Sequence, residues 1–223
     1  QYQNAWVHAN VNAYYSRLDH VTEWQNFYND DSNSFTYLSM TGIEKEYYGI
    51  EAGLDFKVAS FLNFKAIGTI SDAKNINNAN VNYMLSKSAE VKKDYAYIKD
   101  MRESGTPLTI GSLALDFHKS GWFVNLNANW YDRIYLSYSP SYRYKSSLKN
   151  RDMLFNDEPL PGSVDQAKGH GGWMVDGSIG KSIRLKHGSL NFNLMITNIL
   201  NNRKIVSGGY EQSRSDYTLN KEN

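Results

Sequence analysis

The sequence predicts an all-β fold: an antiparallel up-and-down meander of about seven long strands, forming part of a transmembrane β-barrel. Three observations lead there. Apolar and polar residues alternate with period two along most of the chain, the alternating segments are long, and short connections alternate with long ones.

The clearest strand runs from Trp122 to Tyr138. Its even positions include Trp122, Val124, Leu126, Ala128, Trp130, Ile134 and Leu136, and its odd positions include Asn125, Asn127, Asn129, Arg133 and Ser137. Successive side chains point to opposite faces of a strand, so one face is nearly all apolar, Asp132 apart, and the other is largely amide, hydroxyl and charge; a helix would mix the two sets. Ala5, Val7, Ala9, Val11 and Ala13 repeat the pattern against Asn4, His8, Asn10 and Asn12. So do Ile50 to Val58, Leu62 to Ile70, Leu113 to Phe117, Val175 to Leu185 and Leu190 to Ile196. The expected strands cover 3–17, 35–58, 62–73, 107–118, 121–138, 172–186 and 189–200. Most are long enough to cross a bilayer, which takes about 9–11 tilted residues.

The tight connections are Ala59-Ser60-Phe61, Lys119-Ser120 and His187-Gly188, and the long ones are 18–34, 74–106 and 139–171, with another after Asn201. In a meander, alternate connections lie at the same end, so one end is trimmed and the other carries large loops. Short periplasmic turns and long outer loops have this asymmetry. The apolar face requires lipid in a barrel or a second sheet in a sandwich. The lipid reading makes the opposite face lumenal, with Asn125, Asn127, Asn129, Arg133, Asn191 and Asn193 as its polar lining.

Composition agrees. Aromatics make up 14% of the 223 residues, 17 of them Tyr, while mean hydropathy is -0.59. That mixture suits two-faced strands ending in amphipathic rings. The absence of cysteine excludes disulfides, thiolate metal sites and a thiol nucleophile. A net charge of +1 offers no basic footprint for nucleic acid. No apolar run approaches the ~18 residues of a membrane-spanning helix.

Tyr47-Tyr48-Gly49-Ile50-Glu51, then an alternating strand, a short turn and Thr69-Ile70-Ser71-Asp72-Ala73, resembles the Gly-x-Glu strand and the Thr/Ser-Asp-Ala strand of TonB-dependent receptor barrels. A basic residue often precedes that glycine; Tyr48 stands there instead. Asn198-Ile199-Leu200-Asn201-Asn202-Arg203 resembles the Asn-Leu-x-Asn segment near the end of such barrels, and Gly208-Gly209-Tyr210-Glu211 would open the last outer loop. The resemblance implies a nutrient importer in the outer membrane of a Gram-negative bacterium, with a plugged barrel of about twenty-two strands. Its implied partners are outer-membrane lipid, the TonB complex acting through an N-terminal plug, the nutrient itself (a siderophore, glycan, cobalamin or peptide) and, as a further candidate, a surface lipoprotein. On that reading residues 1–223 are a partial C-terminal segment, without the plug or the final aromatic-ended strand.

Sites of chemistry are sparse. His8, His20, His118, His170 and His187 show no ligand spacing, and Asp30-Asp31 and Asp157-Glu158 read as solvated turn residues. Neither catalysis, a metal nor a cofactor is expected. Tyr135, Tyr138, Tyr142 and Tyr144 read mostly as an interfacial girdle. Trp24, Phe27 and Tyr28, with Tyr83, Tyr95 and Tyr97, fall inside the expected outer loops as candidate substrate contacts; packing of loop on loop is the competing role. Two other readings share the pattern: a soluble β-sandwich carbohydrate-binding module, and a small self-contained porin or adhesin.

Overall fold

The computed structural model describes residues 1–29 and 33–207; Asp30-Asp31 and the segment from Gly208 onward lie outside the described residues. The strands are β1 (Tyr2–Gln3), β2 (Val7–Asn29), β3 (Ser34–Ala59), β4 (Leu62–Asn75), β5 (Ala79–Leu85), β6 (Lys92–Ala96), β7 (Pro107–Lys119), β8 (Trp122–Ile134), β9 (Leu154–Phe155), β10 (Glu158–Pro159), β11 (Gly172–Leu185) and β12 (Gly188–Ile196). A 3-10 helix over Pro140–Arg143 and a short α-helix, α1 (Lys145–Asn150), interrupt them. A 10-stranded antiparallel sheet runs in the order β1-β2-β3-β4-β7-β8-β11-β12, with the β5–β6 hairpin added to the upper part of β3. The sheet is open, and β9 and β10 form a separate two-stranded ribbon. The expected meander is the observed fold.

The register joins the apolar sets of successive strands into one surface. Val7, Phe56, Phe64, Leu115 and Leu126 form one row; Ala9, Leu54, Ala66, Leu113 and Ala128 form the next. A third row runs Val11, Ala52, Gly68, Gly111, Trp130 and Trp173. These side chains stay exposed: Val11 70%, Ile50 58%, Leu194 59%. Among the described residues no second layer covers them. The opposite face carries His8, Asp55, Lys65, Asp116 and the asparagines of β8. Aromatic rings edge the apolar band, with Tyr15, Tyr48, Trp130 and Trp173 toward one end and Trp122 toward the other.

The tight turns all close one end. Between β7 and β8, Ser120 and Gly121 both have positive φ, 52° and 77°. This is the two-residue turn whose twist matches its flanking strands. Gly121 is needed twice over, because a Cβ there would meet the Ser182 carbonyl oxygen at 2.5 Å.

At the other end the structure corrects the expected loops. The predicted 18–34 loop is mostly strand: β2 pairs with β3 as far as Asn29↔Ser34. Two irregularities hide this continuation. Residues 19 and 20 oppose one residue of β3, and residues 41 and 42 oppose one residue of β2, with His20 at φ 57° and Gly42 at φ 71°. Each bulge adds a residue and shifts the phase of the alternation. The 74–106 segment contains β5 and β6, and 139–171 contains α1 and the β9–β10 ribbon.

Strand β8 ends at Ile134, four residues early, where Arg133 takes φ 53°. Tyr135 and Tyr144 therefore leave the girdle assigned to them and are buried, at 7% and 4% exposure. Tyr144 joins a loop-end core with Leu38, Met40, Ile43, Val81 and Ile98, against which Tyr138 packs.

Candidate functional site

The upper parts of β2 and β3, with β5 and β6, form a four-stranded extension of the main sheet. One face supplies the loop-end core; alternation exposes the other. Of the six aromatic candidates, three share that exposed face: Trp24, at 79% exposure, Tyr28 and Tyr95, at 37% each. Phe35 and Tyr37, which sequence reasoning missed, join them, and Tyr28 meets Phe35 edge to face at 5.3 Å. The other three candidates hold the structure together. Phe27 packs on the core, and Tyr83 stacks on Tyr144 at 5.3 Å. Tyr97, 7% exposed, donates its hydroxyl to the Asp157 carbonyl at 2.5 Å and meets Tyr95 edge to face at 5.4 Å. None of the six lies in a free loop: five are in strands, and Tyr97 directly follows β6.

On the inner side a polar cavity of about 200 Å³ is lined by Glu23, Gln25, Lys45, Asn75, Arg102, Glu103 and Tyr138, with two serines. Lys45, 8% exposed, donates to Glu103 at 2.6 Å and is also paired with Glu23. Burial acts to depress the Lys45 ammonium, but these carboxylate partners outweigh it and hold its proton above the ordinary lysine range. Tyr47 donates to the same Glu103 oxygen at 3.0 Å. Arg102 engages Asp72 through two N–H groups at 2.8 and 3.1 Å. Burial pushes the Tyr138 hydroxyl up to about 12. The buried Gln25 carboxamide oxygen has no hydrogen-bond partner among the described residues. Lys45 and Arg102 offset Glu23 and Glu103, so the lining is electrically balanced. The arrangement suits hydrogen bonding of a polar group. It offers no nucleophile paired with a base, and among the described residues no group of acids and histidines is placed to hold a metal ion.

Arg143, 1% exposed, fastens the 139–171 segment over this region. Its guanidinium donates to the carbonyls of Ser139 at 3.1 Å, Val164 at 3.2 Å and Asp165 at 2.8 Å, and lies 5.1 Å from the Tyr138 ring centroid.

The candidates for a polar lining fall on the polar face of the main sheet, with one exception. Asn125 donates to Asp116 and accepts from Ser178 at 3.3 Å, and Asn129 accepts from Ser112 at 2.8 Å. Asn127 lies between Ala114 and Asp176, Asn191 opposite Ser182 and Asn193 opposite Gly180. Arg133 instead breaks the alternation, donating to the Ser71 carbonyl at 2.7 Å and approaching Asp72 at 3.5 Å. The Asn198 to Arg203 motif folds into a turn. Asn198, at φ 50°, accepts from the Asn202 amide at 2.9 Å and donates its own amide to Asp176 at 2.7 Å. Asparagine tolerates that left-handed backbone better than most residues.

Compared with known proteins, the chain matches no family model and no curated protein.

Proposed function

We propose that this chain forms part of the wall of an outer-membrane β-barrel of the TonB-dependent receptor kind, which imports a large scarce nutrient. The observation that carries the reading is the apolar face, continuous across β2, β3, β4, β7, β8, β11 and β12 and bare of any covering layer among the described residues. An exposed apolar surface of that extent is unfavourable in water and suited to hydrocarbon. Its height is also right. From Trp122 to Asp132 the strand rises about 34 Å, or about 26 Å along the membrane normal at the usual tilt, against an apolar band about 25 Å tall in such barrels. Aromatic rings at both margins are what a bilayer interface favours. The Gly-x-Glu and Asn-Leu-x-Asn resemblances add the receptor assignment.

In this reading the amide-rich face lines the lumen, the trimmed turns face the periplasm, and the inner cavity beside Lys45 contributes polar contacts to the nutrient. TonB acts through a plug belonging to the parent protein. The test is to express the full coding sequence in a Gram-negative host and follow three things: outer-membrane fractionation, a mobility difference between boiled and unboiled samples, and TonB-dependent growth on candidate nutrients. A product that folds as a monomer in detergent-free buffer overturns the membrane reading. Assembly in the outer membrane with no dependence on TonB leaves a porin or adhesin.

A further inference from the structure

The exposed face of the loop-end sheet is neither wall nor cavity. Its composition follows from register. Trp24, Ser39, Asn82 and Lys93 form one row; Asn26, Tyr37 and Met84 form the next; Tyr28 and Phe35 form the third. Thr41, Asn80 and Tyr95 form a row on the other side of Trp24. Rings therefore ascend the ribbon in steps of two residues, about 6.7 Å each, from Trp24 to Tyr37 to the Tyr28–Phe35 pair. Between and beside them stand the carboxamides of Asn26, Asn80 and Asn82, which have no hydrogen bond to another described residue.

This surface is not an extension of the lipid-facing band. A charged collar lies between them: Arg17 bonds Glu44 at 2.5 Å and Asp19 at 3.0 Å, and Lys74 pairs with Asp100 at 3.6 Å. From Ile50 to Tyr37 the strand travels roughly 40 Å, well clear of a hydrocarbon core. It shares its rings and a methionine with protein-docking surfaces, but it lacks their arginine and sets carboxamides between the rings instead. Here the one aliphatic member is Met84, and the one charge in these rows is Lys93.

We propose that this platform binds a neutral polysaccharide chain. Pyranose rings present apolar C–H faces that pack on the electron-rich faces of aromatic rings. Their hydroxyl edges both donate and accept, as carboxamides do. Successive rings along the ribbon engage successive sugars, and the near-absence of charge selects against polyanions. The site lies on the outer side of the projecting ribbon, so it captures glycan beside the barrel rather than within it, and goes beyond the importer reading.

The test uses the full-length protein in detergent, with intrinsic tryptophan fluorescence and calorimetry as readouts. The probes are cellohexaose, maltohexaose, polysaccharide released by mild acid from the host cell's own lipopolysaccharide, and polygalacturonate as the anionic control. Trp24→Ala and Tyr37→Ala weaken binding of the neutral probe about 10-fold or more, as truncation of an aromatic anchor does. Both side chains are exposed, so the boiled and unboiled gel pattern stays unchanged. Binding of either oligosaccharide supports the proposal with an external glycan as source; binding of the released polysaccharide alone supports it with the cell surface as source. No neutral probe bound, binding unmoved by either substitution, or preference for polygalacturonate overturns it, as does a protein captured through Trp24 that competes with none of these probes.

Discussion

Replacing Leu113 by Arg separates hydrocarbon from water at the apolar face. Leu113 sits mid-band beside Ala66 and Ala128, with 43% of its surface exposed. If that surface meets lipid, an arginine near the midplane costs about 2–4 kcal/mol, a factor of roughly 30 to 1,000 in the folding equilibrium. If it meets water, the change is an ordinary surface substitution, worth within about 0.5 kcal/mol either way. Ala114→Arg is the internal control. It lies one residue further on, faces the opposite side between Lys65 and Asn127, and puts a cation where polar groups already stand. Urea-titrated refolding of the full-length protein into lipid vesicles, read by gel mobility of unboiled samples, gives both free energies. The expected order is wild type close to Ala114→Arg, with Leu113→Arg at least about 2 kcal/mol less stable. Equal stability of the two variants, or the reverse order, refutes the lipid assignment.

Three other outcomes follow from the loop-end geometry. Lys45→Met leaves Glu23 and Glu103 facing each other without their shared cation, and costs about 1–3 kcal/mol, seen as faster amide exchange in the upper halves of β2 and β3. Because the folded Lys45 holds its proton above the ordinary lysine range, its contribution is complete below about pH 10.4 and declines as pH rises through the folded value. Tyr138, pushed up to about 12 by burial, stays protonated while exposed tyrosines ionise. An ultraviolet tyrosinate titration of wild type against Tyr138→Phe shows no difference near pH 10, and the stability tied to this group falls only above that pH. Arg143→Leu leaves three carbonyls without their donor and costs about 3 kcal/mol locally. Limited proteolysis then cuts within 139–171, while the strands of the main sheet keep their exchange protection.

The main sheet was readable because one face of each long strand is mostly apolar, and a strict period of two makes register and sidedness a single question. The short turns were readable for the same reason, as the points where alternation breaks off and resumes. The projecting ribbon was hidden by its own bulges. Below His20 the even members of β2 face the polar side; above it Val21, Glu23, Gln25 and Phe27 do, and a reader following one phase sees the pattern end. Tyr37 and Phe35 fell inside an expected strand but were not weighed as surface groups, since nothing in the sequence says that this part of β3 rises clear of the wall. The opposite error occurred at Arg133. Alternation continues through Leu136 and Tyr138, while a single left-handed residue turns the backbone away. The Lys45 cavity unites residues from β2, β3, the end of β4 and the segments after β6 and β8, a proximity that the pairing of the long ribbon and the folding of those segments create together.

The two bulges have a consequence of their own. Their extra residues sit on opposite strands and cancel in the count, so partners above them pair as if neither were present: Leu18↔Lys45 and Glu23↔Met40 share one arithmetic. Taking out either extra residue would keep every neighbour of the tip and change only the local coiling. Where the ring-bearing face of the ribbon points, relative to the sheet below it, is thus written in two residues, separately from what that face is made of.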